Sequence, residues 1–272
     1  MENDYLKTKN IDIREERRMD KYIRLAEKLK NREKVIGTTM ILLKSPILLE
    51  NMNQEELDFV LFDAEHGVFD TQNVVPLLQV CRLMGLPAFV RAQDSEYHLI
   101  AKAIDMGADG IMLPRTESLE QLRTAVDALL FYPEGRKGCG GHGQFRPGEA
   151  YADFGKTRFL MPQIESPKGI ELLPAMLEQY GNYISAVMIG PYDLSVMVGT
   201  PKNIKSPEMM HAIQKIFDIS SSYGKSCGIF CDDEVLAQKY RNMGCNVLWT
   251  GSDKDFYMRG YNQEMETLIQ MK

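Results

Sequence analysis

Short apolar runs alternate with amphipathic stretches of helix length from Val35 to the end of the chain. Each run contains few polar positions and is long enough for one strand. In chain order the runs are VIGTTMIL, FVLFD, AFVRA, GIMLP, FLMPQIE, AVMIG, CGIFC and NVLWTG, and the amphipathic stretches span 45–52, 71–84, 95–106, 118–131, 167–180, 207–223, 233–243 and 253–271. The pattern predicts eight consecutive βα units.

Apolar runs without polar alternation are typical of strands that are buried on both faces, as in parallel sheets. Right-handed crossovers through the helices would close such strands into a barrel. An open doubly wound sheet is the alternative, but it usually carries a GxGxxG motif after its first strand, and VIGTTMIL lacks one. We therefore predict a single-domain (β/α)8 TIM barrel over residues 35–272.

Residues 1–34 precede the first strand and predict an N-terminal helical extension. Apolar residues recur there at loosely helical spacing among charges of both signs, at Ile13, Met19, Ile23, Leu25, Ala26 and Leu29. This pattern favours an amphipathic helix with a solvated face over a recognition helix. A glycine-rich segment, residues 132–156, separates the fourth and fifth units, and we expect it to form a lid over the barrel mouth.

Composition narrows the class of protein. The formal net charge of the 272 residues is -6 without a long basic cluster, so nucleic acid is not an expected partner. No apolar stretch is long enough to span a membrane, which makes a membrane location unexpected as well. The five cysteines are odd in number and form no CxxC pair, which indicates free thiols and a cytoplasmic location.

Polar residues follow several of the predicted strands. They are Asp63, Glu65 and His66 after the second strand, Arg91 after the third, Gln163 and Glu165 at the end of the fifth, and Asp193 after the sixth. The carboxyl ends of barrel strands meet at one mouth, where barrel enzymes keep their active sites. We expect these side chains to converge there.

Glu165 and Asp193 are carboxylates at neighbouring strand ends. Such a pair suits a divalent cation such as Mg²⁺ or Mn²⁺ with open positions for substrate oxygens. Alternatively, Asp193 caps the following helix and Glu165 pairs with Lys168. Spacing alone gives the two interpretations about equal weight.

His66 is either a strand-end histidine bonded to backbone or a base. Asp105 ends the helix after Arg91, and a carboxylate on one ring nitrogen would fix the tautomer and leave the other nitrogen free to accept a proton. Arg91 follows a buried strand and needs an anion, which could be a protein carboxylate, a substrate carboxylate or an enolate.

Five segments together resemble one known family. They are DFVLFDAEHG, FVRAQDSEYHLIAKAIDMGADGIMLPRTES, YPEGRKGCGG, PQIESPKGIE and IGPYDLS. In order and spacing, from about Val35 to Phe256, they are similar to the HpcH/HpaI aldolases, metal-dependent class II aldolases of 2-keto-3-deoxy sugar acids and 4-hydroxy-2-oxo-heptanedioate. The resemblance implies a (β/α)8 lyase, and commonly a homo-hexamer, a trimer of dimers that exchange the last helix.

The resemblance also implies roles for individual residues. Glu165 and Asp193 match metal ligands for Mg²⁺, Mn²⁺ or Co²⁺, Arg91 matches the residue that steadies the enolate, and His66 with Asp105 matches the acid/base pair. Gln163, Gly190, Pro191 and Tyr192 match positions beside the metal and the substrate. Glu65 and Gly67 would shape the turn that carries His66.

The first functional hypothesis is therefore a lyase that cleaves a 4-hydroxy-2-oxo acid to pyruvate, or a related 2-oxo acid, and an aldehyde through a metal-bound enolate. A citrate-synthase-like condensing enzyme on the same scaffold is the second. The third is a non-catalytic homologue that binds a 2-oxo acid. Departures at AQDSEYH after Arg91 and at Tyr192 affect the expected substrate more than the expected reaction.

Overall fold

The computed structural model describes residues 21–52 and 56–271. Eight parallel strands, each hydrogen-bonded to its neighbours in chain order, form a closed barrel in which β8 pairs with β1. The strands are β1 (Val35–Met40), β2 (Phe59–Asp63), β3 (Ala88–Arg91), β4 (Gly110–Leu113), β5 (Phe159–Ile164), β6 (Ala186–Ile189), β7 (Ser226–Phe230) and β8 (Val247–Ser252). The predicted (β/α)8 barrel is confirmed.

The helices surround the barrel. Residues 21–30 are helical and are called α1. They are followed by α2 (Pro46–Glu50), α3 (Val74–Met84), α4 (Tyr97–Met106), α5 (Leu119–Leu129), α6 (Pro167–Tyr180), α7 (Pro191–Met197), α8 (Pro207–Ser222), α9 (Glu234–Asn242) and α10 (Asp253–Gln270), with a 3₁₀ helix at Tyr151–Thr157. The short helix α7, which directly follows β6, is absent from the sequence prediction.

Serine side chains define several helix starts. Ser118, Ser166 and Ser206 each accept a hydrogen bond from the backbone N–H three residues later, at the beginnings of α5, α6 and α8. These bonds satisfy amides that the helix itself leaves without a partner. Pro167 and Pro207 then occupy the first helical turn, where no amide donor is needed. The sequence thus marks these boundaries locally.

Large and small residues alternate inside the barrel. The rings of Phe59 and Phe89 stack with centroids 5.0 Å apart, and Phe159 packs 5.2 Å from Phe89. A Cβ at Gly37 would lie 2.0 Å from the Phe59 ring, and one at Gly110 would lie 2.7 Å from the Phe159 Cβ. Glycine is therefore required on β1 and β4 so that three phenylalanines fill the interior.

Helix α1 covers the amino-terminal end of the barrel. Leu25 and Leu29 are buried in the same apolar cluster as the barrel interior, and the Tyr22 ring packs under the Arg146 guanidinium at 3.8 Å. The predicted amphipathic pattern is confirmed at both leucines, whereas Ile23 is exposed. The rest of the predicted extension, residues 1–20, lies outside the described residues, and the division at residue 34 stays a prediction.

The glycine-rich segment does not cover the mouth, so the prediction of a lid is wrong. It connects α5 to β5, and a helix-to-strand connection in a barrel lies at the amino-terminal ends of the strands. Arg82, at the end of α3, donates to the carbonyl of Gly143 at 2.7 Å and to that of Phe145 at 3.0 Å. This part of the segment is therefore anchored at the end of the barrel that α1 also covers.

Among residues 21–52 and 56–271, no helix has both the length and the apolar character needed to cross a membrane.

The burial of Leu25 predicts that α1 contributes to the stability of the barrel. We expect Leu25→Ala to lower the free energy of unfolding by about 2 to 5 kcal/mol, because it leaves a cavity at the end of the barrel core. Denaturant unfolding measures this. Ile23→Ala, on the exposed face of the same helix, is the matched control and should change stability by less than about 0.5 kcal/mol. Equal effects would show that α1 does not close the barrel.

Candidate active site

A cavity of about 330 Å³ opens at the carboxyl ends of the strands. All of the predicted site residues except Asp105 line it: His66, Arg91, Gln163, Glu165, Gly190, Pro191, Tyr192 and Asp193. The predicted convergence therefore occurs, because each side chain directly follows or ends a strand. The wall also contains residues that sequence reasoning did not select, among them Phe230, Trp249 and Lys254.

Asp63 holds the first part of the site in place. Its carboxylate accepts the Nε–H of Arg91 at 2.8 Å and also receives a second guanidinium nitrogen. The same carboxylate accepts the backbone N–H of Glu65 at 3.0 Å and that of His66 at 3.1 Å. Both Asp63 and Arg91 are buried. The turn that carries His66 and the orientation of Arg91 thus depend on one carboxylate, and the anion that Arg91 needs is in part Asp63.

Glu65 links three basic groups. Its carboxylate lies 3.5 Å from Arg91 Nη1, 3.2 Å from Arg115 Nε and 3.8 Å from His66 Nε2. Burial raises the pKa of Glu65, while the positive charges of Arg91 and its other neighbours oppose that rise. Glu65 therefore does more than shape a turn, since its carboxylate is the one that contacts the imidazole among residues 21–52 and 56–271.

Glu165 is buried with only half of its carboxylate bonded. Oε2 accepts the backbone N–H of Arg115 at 3.0 Å, whereas Oε1 has no hydrogen-bond partner among the described residues. Oε1 of the neighbouring Gln163 is likewise buried and unpaired within the described part of the chain. Arg115 has a φ of 44°, a left-handed conformation that is uncommon outside glycine, and this turn aims its N–H at Glu165.

Gly190 allows this arrangement. A Cβ there would lie 1.8 Å from Glu165 Oε1 and 2.6 Å from Gln163 Nε2. Any side chain would displace the Glu165 carboxylate, so the glycine between β6 and α7 is required by the close approach. Its position in the sequence, directly after a buried strand, gave no signal of this contact.

Asp193 lies in the first turn of α7, and its charge acts on Glu165. Burial, reinforced by the negative charge of Asp193, raises the pKa of Glu165 to about 7. The structural alternatives considered for the pair are not observed. The residue that precedes α7 is Gly190, so Asp193 is not the N-cap, and Lys168 Nζ lies 4.0 Å from Glu117 Oε2 rather than on Glu165.

The pair has the chemistry of a site for a hard cation, with oxygen donors only. No cluster of three or more His, Cys, Asp and Glu side chains with metal-binding geometry occurs within the described residues. A cation between Glu165 and Asp193 would therefore keep several coordination positions open for water or substrate.

The structure does not bring Asp105 to His66 within one chain. Asp105 is in the last turn of α4, which runs from the mouth back to the opposite end, so about 12 Å of helix separates it from the start of α4. Its carboxylate pairs with Lys137. The His66 imidazole is 61% exposed at the cavity edge. The prediction of this contact overlooked that a helix following a barrel strand ends at the amino-terminal face of the barrel, away from the mouth.

An aromatic wall lines the other half of the cavity. The Trp249 ring packs edge-on against Phe230 at 5.2 Å, and Tyr192 lies 6.3 Å from Phe230. Tyr192 Oη donates to Asp232 at 3.4 Å. The sequence interpretation did not select Phe230 and Trp249. Phe230 ends β7, the same signal that identified the acidic residues, whereas Trp249 lies within β8 and carries no such signal.

The model of the HpcH/HpaI aldolase/citrate lyase family matches residues 39–259. The chain belongs to this family, as the sequence resemblance predicts. It is an enzyme of the lyase class, with the barrel fold and mouth-facing site described above.

The chain is similar both to curated enzymes and to solved structures. It is 28% identical to the 5-keto-4-deoxy-D-glucarate aldolase of Salmonella arizonae, over 83% of this chain and 89% of that one, and 29% identical to the enzyme of the same name from Klebsiella pneumoniae, over 78% and 83%. Among solved structures, an HpcH/HpaI aldolase from Desulfitobacterium hafniense superposes with a TM-score of 0.83 at 23% identity, over 90% of this chain and 96% of that one. The citrate synthase SbnG superposes with a TM-score of 0.79 at 22% identity, over 90% and 97%.

The raised pKa of Glu165 predicts a pH dependence of stability in protein kept free of metal by a chelator. The folded state retains the Glu165 proton up to about pH 7, whereas the unfolded chain releases it near 4.5. Stability from this group is therefore complete below pH 4.5 and is lost as the pH rises to 7. The loss amounts to about 3 kcal/mol.

Chemical denaturation between pH 4.5 and 8 measures this effect. Glu165→Gln should remove that part of the pH dependence, because the amide cannot ionise. Glu171→Gln, at an exposed position of α6, is the control and should follow the unmodified protein. An unchanged profile in Glu165→Gln would contradict the raised pKa.

Proposed function

We propose that the protein is a divalent-metal-dependent class II aldolase that cleaves a 4-hydroxy-2-oxo acid to pyruvate, or a related 2-oxo acid, and an aldehyde. Family membership and the curated aldolases to which the chain is similar support this class of reaction. Which acid the enzyme cleaves and which metal it uses are parts of the proposal.

One observation carries the proposal. Glu165 Oε1 is buried without a hydrogen-bond partner among the described residues, and burial, reinforced by the negative charge of Asp193, raises the pKa of Glu165 to about 7. A divalent cation would relieve both costs, since it pairs the free oxygen and neutralises the repulsion. The unpaired Gln163 Oε1 offers a further oxygen donor next to it. The donors present therefore fit Mg²⁺, Mn²⁺ or Co²⁺.

A cation held by Glu165 and Asp193 would supply Lewis-acid stabilisation of negative charge on the bound 2-oxo acid. Arg91, fixed by Asp63 with its positive charge retained, stabilises the same developing charge from the β3 side of the cavity. Because Arg91 is oriented before substrate binds, little reorganisation is needed during the reaction.

His66 is the proposed base. Its imidazole lies at the cavity edge, where it can accept the proton of the C4 hydroxyl as the C3–C4 bond breaks and return it during condensation. Glu65 Oε2, 3.8 Å from His66 Nε2, stabilises the protonated ring. Within one chain Glu65 thus provides the carboxylate that sequence interpretation assigned to Asp105, and the Asp105 assignment stays a prediction.

Proton exchange at the methyl group of pyruvate in D₂O tests the proposal, since it needs no knowledge of the aldehyde. We expect deuterium uptake, followed by NMR, with Mn²⁺ or Mg²⁺ and its loss after chelation. Glu165→Gln and Asp193→Asn should lower the exchange rate by at least about 100-fold, because the developing charge loses its stabilisation. The exposed Glu171→Gln should leave the rate unchanged.

Metal-independent exchange, or full exchange in Glu165→Gln, would contradict the proposed site. Absence of exchange with metal bound would favour the condensing enzyme, and thiol release from acetyl-CoA with a 2-oxo acid would then be measured. The expected set of results distinguishes the two functions because only the aldolase forms an enolate from pyruvate.

The half of the cavity opposite Arg91 is proposed to hold the aldehyde part of the substrate. Lys254 lines this half, and its ammonium forms no ion pair within residues 21–52 and 56–271. Arg91, in contrast, already forms an ion pair with Asp63. An unpaired cation beside Asp232 and the aromatic wall favours an acceptor that carries hydroxyl groups and a terminal carboxylate.

Lys254→Met tests this assignment. For condensation of pyruvate with an aldehyde that bears a carboxylate, such as succinic semialdehyde, we expect kcat/KM to fall roughly tenfold, or about 1.4 kcal/mol. For uncharged propionaldehyde it should change less than about twofold. Lys215→Met, on the outer face of α8, controls for net charge. Equal loss for both aldehydes would contradict carboxylate recognition.

Helix α10 supports the proposal of a homo-oligomer, with a hexamer as the specific expectation. Large apolar side chains are exposed along it: Phe256, Tyr257, Met258, Tyr261, Leu268 and Ile269. An exposed apolar surface of this kind is typical of an interface. Sedimentation velocity should give a mass of several chains, and Leu268→Lys with Ile269→Lys should reduce it. Gln263→Lys, at a polar position of α10, should not, and a monomeric unmodified protein would contradict the proposal.

All five cysteines are free, and four of them are buried. This state is consistent with a reducing compartment and supports the cytoplasm as the proposed location.

A further inference from the structure

A second cavity, of about 350 Å³, lies at the amino-terminal ends of β5, β6 and β7, at the opposite end of the barrel from the candidate active site. Helix α1, the end of α5 and the connections that lead into the three strands form its wall. We call it the basal cavity, and its lining residues fall within 26–30, 129–130, 155–159, 182–185 and 224–225. Its location is independent of the proposed reaction.

The charge of the lining has one sign. Lys30, Lys156, Arg158 and Lys225 line the basal cavity, and its lining residues include no aspartate or glutamate. The chain as a whole has a formal net charge of -6, so a cavity with only cationic charges is unusual for it. A concave surface that carries charges of one sign concentrates positive potential and attracts anions.

Two of the four cations have carboxylate partners outside the cavity. Arg158 is buried and pairs with Glu149 through both terminal nitrogens, at 2.7 and 2.9 Å. Its Nε remains buried without a hydrogen-bond partner in the described part of the chain. Lys156 pairs with Asp153 at 2.6 Å, but both side chains are exposed, and such pairs hold a lysine weakly.

The other two cations are uncompensated. Lys225 Nζ donates to the Gly181 carbonyl at the end of α6, and burial lowers the pKa of Lys225. Lys30, at the end of α1, is exposed. Neither lysine forms an ion pair within residues 21–52 and 56–271. Burial removes part of the water that stabilises the Lys225 ammonium. An anion between the two lysines would replace that lost stabilisation.

We propose that the basal cavity binds a small multivalent oxyanion, bearing either phosphate or several carboxylates, between Lys30 and Lys225. The volume suits a ligand of metabolite size, and Asn182 and Ser185 add polar side chains to the wall. Two or more negative charges match the two lysines that form no ion pair among the described residues.

Binding has a structural consequence. Lys30 belongs to α1, whereas Lys225 precedes β7, so one ligand would join the helix that covers the barrel to the strands beneath it. The ligand would stabilise the docked position of α1, since it binds only when both walls are in place.

Isothermal titration calorimetry at constant ionic strength, on metal-free protein, tests the proposal with inorganic phosphate and with tricarballylate as probes. We expect one equivalent of at least one probe to bind, and the probe that binds distinguishes a phosphate from a carboxylate ligand. Lys30→Gln with Lys225→Gln should weaken binding roughly tenfold or more. Lys30→Gln alone, at an exposed position that cannot impair folding much, should weaken it roughly threefold.

The matched control is Lys102→Gln with Lys215→Gln, which removes the same net charge from exposed positions of α4 and α8. Its affinity should stay within about twofold of the unmodified protein. If the control pair weakened anion binding equally, the loss of affinity would be an effect of net charge alone, and the proposal would be overturned. Loss of binding in Lys254→Gln instead would place the anion at the mouth and also overturn it, as would the absence of binding by either probe.

Discussion

The buried carboxylate of Glu165 is the constraint on which the mouth of the barrel depends. One oxygen is held by the backbone of Arg115, which adopts a left-handed conformation, and the other has no partner among the described residues. Gly190 is glycine because Glu165 occupies the space of its side chain. A charge buried in this way beside Asp193 is costly, and the proposed cation would offset that cost.

The rest of the site extends from this point in two directions. Towards β2 and β3, Asp63 fixes both Arg91 and the turn that carries His66, so the proposed charge-stabilising group and the proposed base share one anchor. Towards β7 and β8, the aromatic wall and Lys254 provide a differently shaped half, where the aldehyde part of the substrate is proposed to bind. In the proposed reaction, the cavity would separate the reacting end of the substrate from the end that determines specificity.

The sequence predicted the barrel and the convergence of strand-end residues because both follow from local pattern and from the geometry of parallel strands. It missed Arg115, and it placed Gly190 beside the substrate without its close approach to the Glu165 carboxylate, because no periodicity reveals backbone conformation or such a contact. It placed the glycine-rich segment at the mouth, although a helix-to-strand connection lies at the opposite face. Within one chain Asp105, at the end of a helix, lies at that face as well, and its assignment as the partner of His66 stays a prediction.

Mn²⁺ binding followed by electron paramagnetic resonance tests the central claim most directly, because it depends on neither substrate nor catalysis. The account predicts one Mn²⁺ per chain, with binding weakened by at least about tenfold in Glu165→Gln, since the cation loses a ligand. The same affinity in Glu165→Gln and in the unmodified protein would contradict the account and leave the buried carboxylate without a proposed role.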